Sequence, residues 1–66
     1  MVKATAVMIG DVVQAGTRGP RVKVTDISRF TDYGGVKKIR LHGHTDDEEK
    51  IIATVDLDLD GSIYVY

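Results

Sequence analysis

Three alternating aspartates near the C-terminal end of the sequence are the first group that could bind a metal ion. Asp56, Asp58 and Asp60 precede Gly61, an order that matches the alternating oxygen ligands and following glycine of a calcium-binding loop. Such a loop lies between two helices, whereas the residues on both sides here alternate between apolar and polar, as in β-strands. We therefore expect a strand followed by a turn, and no calcium site.

His42 and His44 form a second candidate, because two histidines at this spacing share one face of a strand. Zinc sites use this spacing, but they need at least a third protein ligand. A hairpin closed symmetrically by residues 45–49 would place His44 opposite Lys50 and His42 opposite Ile52, and neither partner is a ligand. We expect solvent-facing histidines and no metal.

Catalytic chemistry finds little support in the residue types. No serine or cysteine nucleophile is accompanied by a matching base and orienting acid. The loop "GTRGP" at residues 16–20 lacks the lysine and the helix of a phosphate-binding loop. The absence of cysteine excludes disulfides and thiolate zinc sites. The sequence therefore predicts a protein that is not an enzyme and needs no cofactor.

Charge is unevenly distributed along the chain, although the formal net charge is only −1. Residues 18–44 contain seven basic and two acidic residues, whereas residues 45–66 contain one basic and seven acidic residues. Such a split is typical of a nucleic-acid surface, and equally of two strands that neutralise each other across a ladder.

Part of the basic segment is predicted to be neutralised internally. The symmetric hairpin places Lys38 opposite Asp56, with Asp58 beyond, and Arg40 opposite Thr54. If the second and third predicted strands pair, the remaining cations on these strands form one patch with a tyrosine near its rim: Arg21, Lys23, Arg40, His42 and Tyr33. This patch predicts nucleic-acid binding through phosphate contacts and stacking, as one of two alternatives.

The other alternative is a protein partner, which we favour because the whole chain is slightly acidic. Outward-facing Ile52, Tyr64 and Tyr66 would supply the apolar part of such an interface. The full set of predicted binding residues is Arg18, Arg21, Lys23, Tyr33, Arg40, His42, Ile52, Tyr64 and Tyr66.

The elements that must position these residues are strands, because apolar residues recur at every second position and β-branched residues are abundant. In residues 36–44, Ile39, Leu41 and Gly43 share one face. Alternation also predicts that the inward face of the next strand contains Ile51, Ala53, Val55, Leu57 and Leu59. The five predicted strands are "DVVQA", "RVKVTDI", "VKKIRLHGH", "KIIATVDLDL" and "SIYVY".

Turn residues separate these strands. Glycine-rich or polar loops fall at residues 16–20, 31–35 and 45–49, and Asp60-Gly61 predicts a two-residue hairpin turn. An open sheet of this size would expose two unpaired edges. We therefore expect an all-β fold, a small five-stranded antiparallel barrel that closes on itself.

The succession of "IGDVV", a glycine-rich loop, "VKVTDI", "KKIRLHGH", an acidic loop, "IIATVDLD" and "IYVY" resembles a Src-homology-3-like small β-barrel over residues 9–66. The "GDVV" opening is similar to that of KOW-type barrels in ribosomal and transcription proteins, and the overall pattern resembles small barrel proteins of actinobacterial phages. The resemblance implies an accessory protein that binds a host or phage protein. Proline-rich peptide recognition is not expected, because that activity uses an aromatic cluster and this chain has no Trp.

The remaining expectations concern organisation and location. We expect one domain spanning residues 1–66, with residues 1–8 as a lead-in strand or turn. The N-terminal apolar run is too short for a signal peptide, and no stretch approaches the length of a membrane span. The sequence thus predicts a cytoplasmic protein, monomeric or weakly dimeric.

Overall fold

A computed structural model describes residues 1–66 and shows an all-β chain with six strands. The lead-in segment is both a short strand and a single helical turn, so the two alternatives for residues 1–8 occur together. The elements are β1 (Val2–Lys3), a 3-10 turn (Ala4–Ala6), β2 (Val12–Gln14), β3 (Arg21–Thr31), β4 (Lys37–Thr45), β5 (Ile52–Asp58) and β6 (Ser62–Val65).

The strands form one antiparallel sheet in the order β1-β6-β2-β3-β4-β5. The prediction of antiparallel β-structure is confirmed, but the structure differs from the expected barrel in two respects. It has six strands instead of five, because the lead-in segment adds β1 beside β6. The sheet is also not closed, because the outermost strands β1 and β5 do not pair with each other.

The Asp60-Gly61 turn does not close a hairpin, so that prediction is wrong. The Gly61 N–H donates to the Asp58 carbonyl at 2.9 Å, and the Gly61 carbonyl accepts from the Ala4 N–H at 2.8 Å. Consequently β6 pairs with β1 and β2 and not with β5. This pairing brings Val65 opposite the fully buried Val13, an apolar contact that a β5–β6 hairpin would not provide.

One face of the sheet forms the core. The predicted inward positions Ile39 and Leu41 are fully buried, and Ile63 lies inward while Tyr66 lies outward. The buried apolar side chains are Ala4, Val7, Val13, Val22, Val24, Ile39, Leu41 and Ile63. Four predicted inward residues of β5 and its end are half-buried against this cluster: Ala53, Val55, Leu57 and Leu59. Ile51 was also expected inward, but it is 56% exposed because it belongs to the preceding loop.

The register between β4 and β5 is shifted by two residues from the symmetric hairpin. The loop is longer than residues 45–49, since the Thr45 N–H donates to the Ile51 carbonyl at 2.9 Å and Lys50 takes a left-handed φ of 49°. A shift by two residues leaves each side chain on its predicted face. The observed pairs are His44 with Ile52, His42 with Thr54, Arg40 with Asp56, and Lys38 with Asp58.

Gly43 allows β3 and β4 to approach closely where β3 bends. A Cβ atom on Gly43 would lie 1.9 Å from the Lys23 carbonyl oxygen. The β3–β4 register is irregular between Val24 and Asp26, which is typical of a β-bulge that bends its strand. A glycine within a strand therefore marks the place where the sheet curves.

The loop between β4 and β5 is organised by Asp47. Its Oδ1 accepts from the Thr45 hydroxyl at 2.8 Å and from the backbone N–H groups of Glu49 and Lys50 at 3.1 Å. The hydrogen bond from Thr45, followed by that from the Lys50 backbone, lowers the pKa of Asp47. A carboxylate with a lowered pKa in the folded state stabilises the fold above its unfolded pKa, and this stabilisation is lost as pH falls through the folded pKa.

Substitution Asp47→Ala is accordingly expected to lower the melting temperature at pH 7, because three donors lose their acceptor. The difference from the unmodified protein should shrink below the ordinary aspartate pKa of about 3.9. Thermal unfolding followed by circular dichroism at several pH values would measure both effects. Glu48→Ala is the matched control, since the Glu48 side chain is exposed and has no hydrogen-bond partner in the loop. Equal melting temperatures for the two variants at pH 7 would contradict this role.

Candidate functional site

The face of the sheet opposite the core brings most of the predicted binding residues together. Strand pairing aligns Tyr64 with Gln14 and Gln14 with Arg21, and in the neighbouring row Lys23 with His44 and His44 with Ile52. The Tyr66 N–H donates to the Val12 carbonyl at 2.8 Å, which joins Tyr66 and Val12 to this second row. We call this region the outer surface, and it consists of Val12, Gln14, Arg21, Lys23, His44, Ile52, Tyr64 and Tyr66.

Arg21 and Tyr66 are in direct contact on the outer surface. The Arg21 guanidinium carbon lies 3.9 Å from the centre of the Tyr66 ring, a cation–π contact that contributes about 0.5–1 kcal/mol at exposed sites. The Tyr66 hydroxyl donates to Gln14 Oε1, and Gln14 Nε2 donates to the Gly19 carbonyl at 2.6 Å. These bonds attach the loop containing Arg18 to the same region. Side chains from β2, β3 and β6 thus hold one aromatic ring and its cation in place.

Arg18, Arg21 and Lys23 have no carboxylate within 4.0 Å. The ion pairs of the protein all involve two cations of β4, Lys38 and Arg40. An acidic loop, residues 46–49, borders the outer surface, because the Asp46 N–H donates to the Arg21 carbonyl at 2.8 Å. The outer surface and the adjoining loop that contains Arg18 therefore present three uncompensated cations, with negative charge at one edge.

Arg40 was also predicted to belong to this basic patch, and in the structure Asp56 neutralises its charge. Arg40 Nε lies 2.8 Å from Asp56 Oδ1, and Nη2 lies 3.0 Å from Oδ2, so the pair is bidentate. These hydrogen bonds raise the pKa of Arg40 and lower the pKa of Asp56. The guanidinium also lies 4.5 Å from the centre of the Phe30 ring. The prediction that acidic residues of β5 neutralise cations of β4 is confirmed. The directly opposed pairs differ from the predicted ones because the register is shifted.

His42 lies on the same outward face, in the row next to Lys23 and His44, whereas Tyr33 lies far from them. His42 shares the outward face of β4, is half-buried, and has Nε2 2.8 Å from the Ser28 hydroxyl. Tyr33 is fully exposed on the turn between β3 and β4. This turn begins eight residues along β3 from Lys23, or roughly 25 Å at the usual rise per residue. Tyr33 is therefore not at the rim of the outer surface, because β3 is longer than its predicted span.

The outer surface also has exposed apolar groups. Ile52 is 87% exposed and Tyr66 is 58% exposed, while Tyr64 is half-buried. In the row that contains Lys23 and His44, Ile52 and Tyr66 occupy the two ends. The row is thus apolar at its ends and cationic at its centre, which is suited to a ligand that is both acidic and apolar.

Sequence reasoning did not select Val12, Gln14 and His44 for this surface. Alternation along "DVVQA" places Val12 and Gln14 on one face, but only the pairing of β2 with β3 and β6 shows that this face adjoins Arg21 and Tyr66. His44 was selected from the sequence only as a candidate metal ligand. In the structure its Nδ1 lies 3.0 Å from the Thr45 carbonyl oxygen.

Metal-binding side chains do not converge anywhere in the structure. No three His, Asp or Glu side chains form a group that could hold a metal ion. Asp56 and Asp58 are engaged by Arg40 and Lys38, and the segment is a strand and a turn, as expected. Two shallow depressions of about 320 and 460 Å³ lie away from the outer surface, around Phe30 and Thr31 of the β3–β4 hairpin.

Comparisons of this chain with known protein families, curated proteins and solved structures found no match. The only helical segment is the three-residue turn Ala4–Ala6, and it is far too short to cross a lipid bilayer. The function must therefore be inferred from the geometry and charge of the surfaces themselves.

Proposed function

We propose that this protein is a non-catalytic binding module whose outer surface binds an acidic segment of a partner protein. The observation that carries the proposal is the Arg21–Tyr66 contact, in which an uncompensated guanidinium is held over an exposed ring. Lys23 and Arg18 add two further unpaired cations, and Ile52 adds an exposed apolar group. Arginine and tyrosine are among the residue types enriched at the energetic centre of protein interfaces.

The acidic loop favours a protein segment over nucleic acid at this surface. A polyphosphate backbone that followed Arg18, Arg21 and Lys23 would also meet the carboxylates of residues 46–49, which border Arg21. A protein segment needs only two or three carboxylates, and it can place neutral residues against the loop.

The remaining sequence-based expectations form part of this proposal. The order β6-β2-β3-β4-β5 and the bend at Gly43 support a relationship to the small Src-homology-3-like barrel, with β1 as an added edge strand. A cytoplasmic location and a monomeric or weakly dimeric state belong to the same proposal. The likeness to phage accessory proteins stays a prediction from the sequence.

Fluorescence anisotropy with labelled peptides tests the proposal. Peptides that combine glutamate with an apolar or aromatic residue should bind at low salt, and their affinity should fall as salt rises because the cations are exposed. The double variant Arg21→Ala/Lys23→Ala should bind about tenfold more weakly or worse, as expected for the loss of central interface residues. Chemical-shift mapping should locate the peptide on β2, β6 and the first residues of β3.

Arg29→Ala/Lys37→Ala is the matched control, because it removes the same charge from two other unpaired cations at the far end of the hairpin. It should leave peptide affinity unchanged. Peptide binding that both double variants weaken equally would show a non-specific charge effect and overturn the proposal. Absence of binding to acidic peptides at low salt would overturn it as well.

A further inference from the structure

The far end of the β3–β4 hairpin is a second candidate surface, which the outer surface does not include. None of residues 28–38 is buried, and β2 pairs only with the beginning of β3, so one edge of this part of β3 is free. Two open depressions of about 320 and 460 Å³ occur here and share Phe30 and Thr31. The two depressions are therefore contiguous across the edge of the hairpin.

The first depression has two uncompensated cations. It is lined by Arg29, Phe30, Thr31, Lys37, Lys38 and Leu59. Thr31 pairs with Lys37, and Arg29 lies two residues before Thr31, so Arg29 and Lys37 are diagonal neighbours about 7–8 Å apart. Neither has a carboxylate within 4.0 Å, whereas Lys38 is matched by Asp32 at 3.9 Å and Asp58 at 3.4 Å. Two free cations therefore line this depression.

The second depression is lined in part by an exposed aromatic ring. It is lined by Phe30, Thr31, Asp32 and Tyr33, and the Tyr33 side chain is fully exposed. The turn that carries Tyr33 is well defined: Asp32 Oδ1 accepts from the Gly34 and Val36 N–H groups at 2.9 Å, and the Asp32 carbonyl accepts from the Gly35 N–H at 3.0 Å. Because its backbone is held in this way, Tyr33 can receive a stacking partner with little ordering of the turn.

We propose that this end of the hairpin binds single-stranded nucleic acid, with Arg29 and Lys37 contacting phosphates and Tyr33 stacking on a base. The contiguous depressions lead from the cations to the aromatic ring, which matches the alternation of phosphate and base along one strand. Stacking requires an unpaired base, so a single strand fits better than a duplex. The site is independent of the proposed protein-binding surface, since it shares no residue with it.

Titration of labelled oligothymidylate, followed by fluorescence anisotropy at several salt concentrations, tests the proposal. Two phosphate contacts on a single strand predict a slope of about −1.4 for log affinity against log salt. Arg29→Ala/Lys37→Ala should remove most of this salt dependence. Tyr33→Ala should weaken binding about fivefold or more, whereas Tyr33→Phe, which keeps the ring, should retain binding. All three side chains are exposed, so the substitutions should not affect folding. Unchanged melting temperatures would show that the variants fold.

Arg21→Ala/Lys23→Ala serves as the control here, and it should leave oligonucleotide binding unchanged. Three results would overturn the proposal: no binding at low salt, equal weakening by both double variants, or full affinity in Tyr33→Ala. Acidic-peptide binding that depends on Arg29 and Lys37 would likewise overturn it in favour of a protein ligand. Because the ligands and variants differ from those of the proposed function, either proposal can fail while the other stands.

Discussion

Replacement of Gly43 by alanine is expected to unfold most molecules at 25 °C. The added Cβ would lie 1.9 Å from the Lys23 carbonyl oxygen and 3.1 Å from Val22 Cγ1, in the middle of the two longest strands. The nearest obstacle is backbone, so relief of the clash requires β3 and β4 to separate where β3 bends. Overpacking alone costs typically 1–3 kcal/mol, and loss of ladder hydrogen bonds adds about 0.5–1.5 kcal/mol for each bond.

The consequence is severe because the protein is small. A single core in a chain of this length rarely supplies more than about 3–5 kcal/mol of net stability. Urea unfolding and circular dichroism would measure the loss. Gly34→Ala is the matched control, since its Cβ would meet only the Asp32 side chain at 3.4 Å, and its effect should stay within about 0.5 kcal/mol. If Gly43→Ala had the same urea midpoint as Gly34→Ala, the close approach of β3 and β4 would not require glycine at position 43.

Leu41→Ala should have the second largest effect, a loss of about 2–5 kcal/mol in the free energy of unfolding. Leu41 is 0% exposed and lies at the centre of β4, where it pairs with Ile27 of β3 and Val55 of β5. Both partners are only half-buried. Backbone hydrogen bonds hold β3 and β5 beside β4, so these strands cannot collapse into the cavity that the shortened side chain would leave. A loss of this size would consume most or all of the stability of such a small domain.

Ile52→Ala provides the contrast, because Ile52 is apolar and on the adjacent strand but 87% exposed. It should change the free energy of unfolding by less than about 0.5 kcal/mol, and it should weaken acidic-peptide binding if the outer surface acts as proposed. Thermal and urea unfolding of the two variants in parallel would test this. Similar destabilisation of both would mean that the core does not lie on the face that contains Leu41.

The buried cluster and the two proposed binding sites do not share residues. The inward face holds the chain together through residues such as Leu41 and Ile63, and none of the cations proposed to bind ligands lies within the buried cluster. The outer surface and the hairpin end lie at opposite ends of β3, and each has unpaired cations beside an exposed tyrosine. Substitutions at either site should therefore alter binding with little change in stability.

Local pattern predicted most of the strands and the direction in which most of their side chains face. Alternation along the chain identified Ile39 and Leu41 as inward residues, and it placed Tyr66 and Ile63 on opposite faces of the sheet. Both follow because side-chain direction in a strand depends only on position along it. Turn residues marked approximate boundaries, because glycine, proline, asparagine and aspartate favour backbone angles that end a strand. The β3 strand was predicted too short, since Arg29 and Thr31, which share the face of Ile27, are polar and give no apolar alternation beyond Ile27.

Strand partners and register could not be predicted in this way. Asp60-Gly61 favours a hairpin locally, yet β6 pairs with β2, because burying Val65 against Val13 is a contact between residues far apart in sequence. The two-residue shift between β4 and β5 results from hydrogen bonds that Asp47 and Thr45 make within the loop. Neither preference is visible in the periodicity of the strands.

The sequence by itself determined which charged and aromatic residues are available and which side of each strand they occupy. Only the tertiary structure decided which cations remain free, because register places Arg40 against Asp56 and leaves Arg21 over Tyr66. It likewise decided that Tyr33 lies at the far end of the β3–β4 hairpin, in a depression that adjoins the one lined by Arg29 and Lys37. The physical reason is that side-chain facing follows from local backbone geometry, whereas charge compensation depends on distances between strands that only folding establishes.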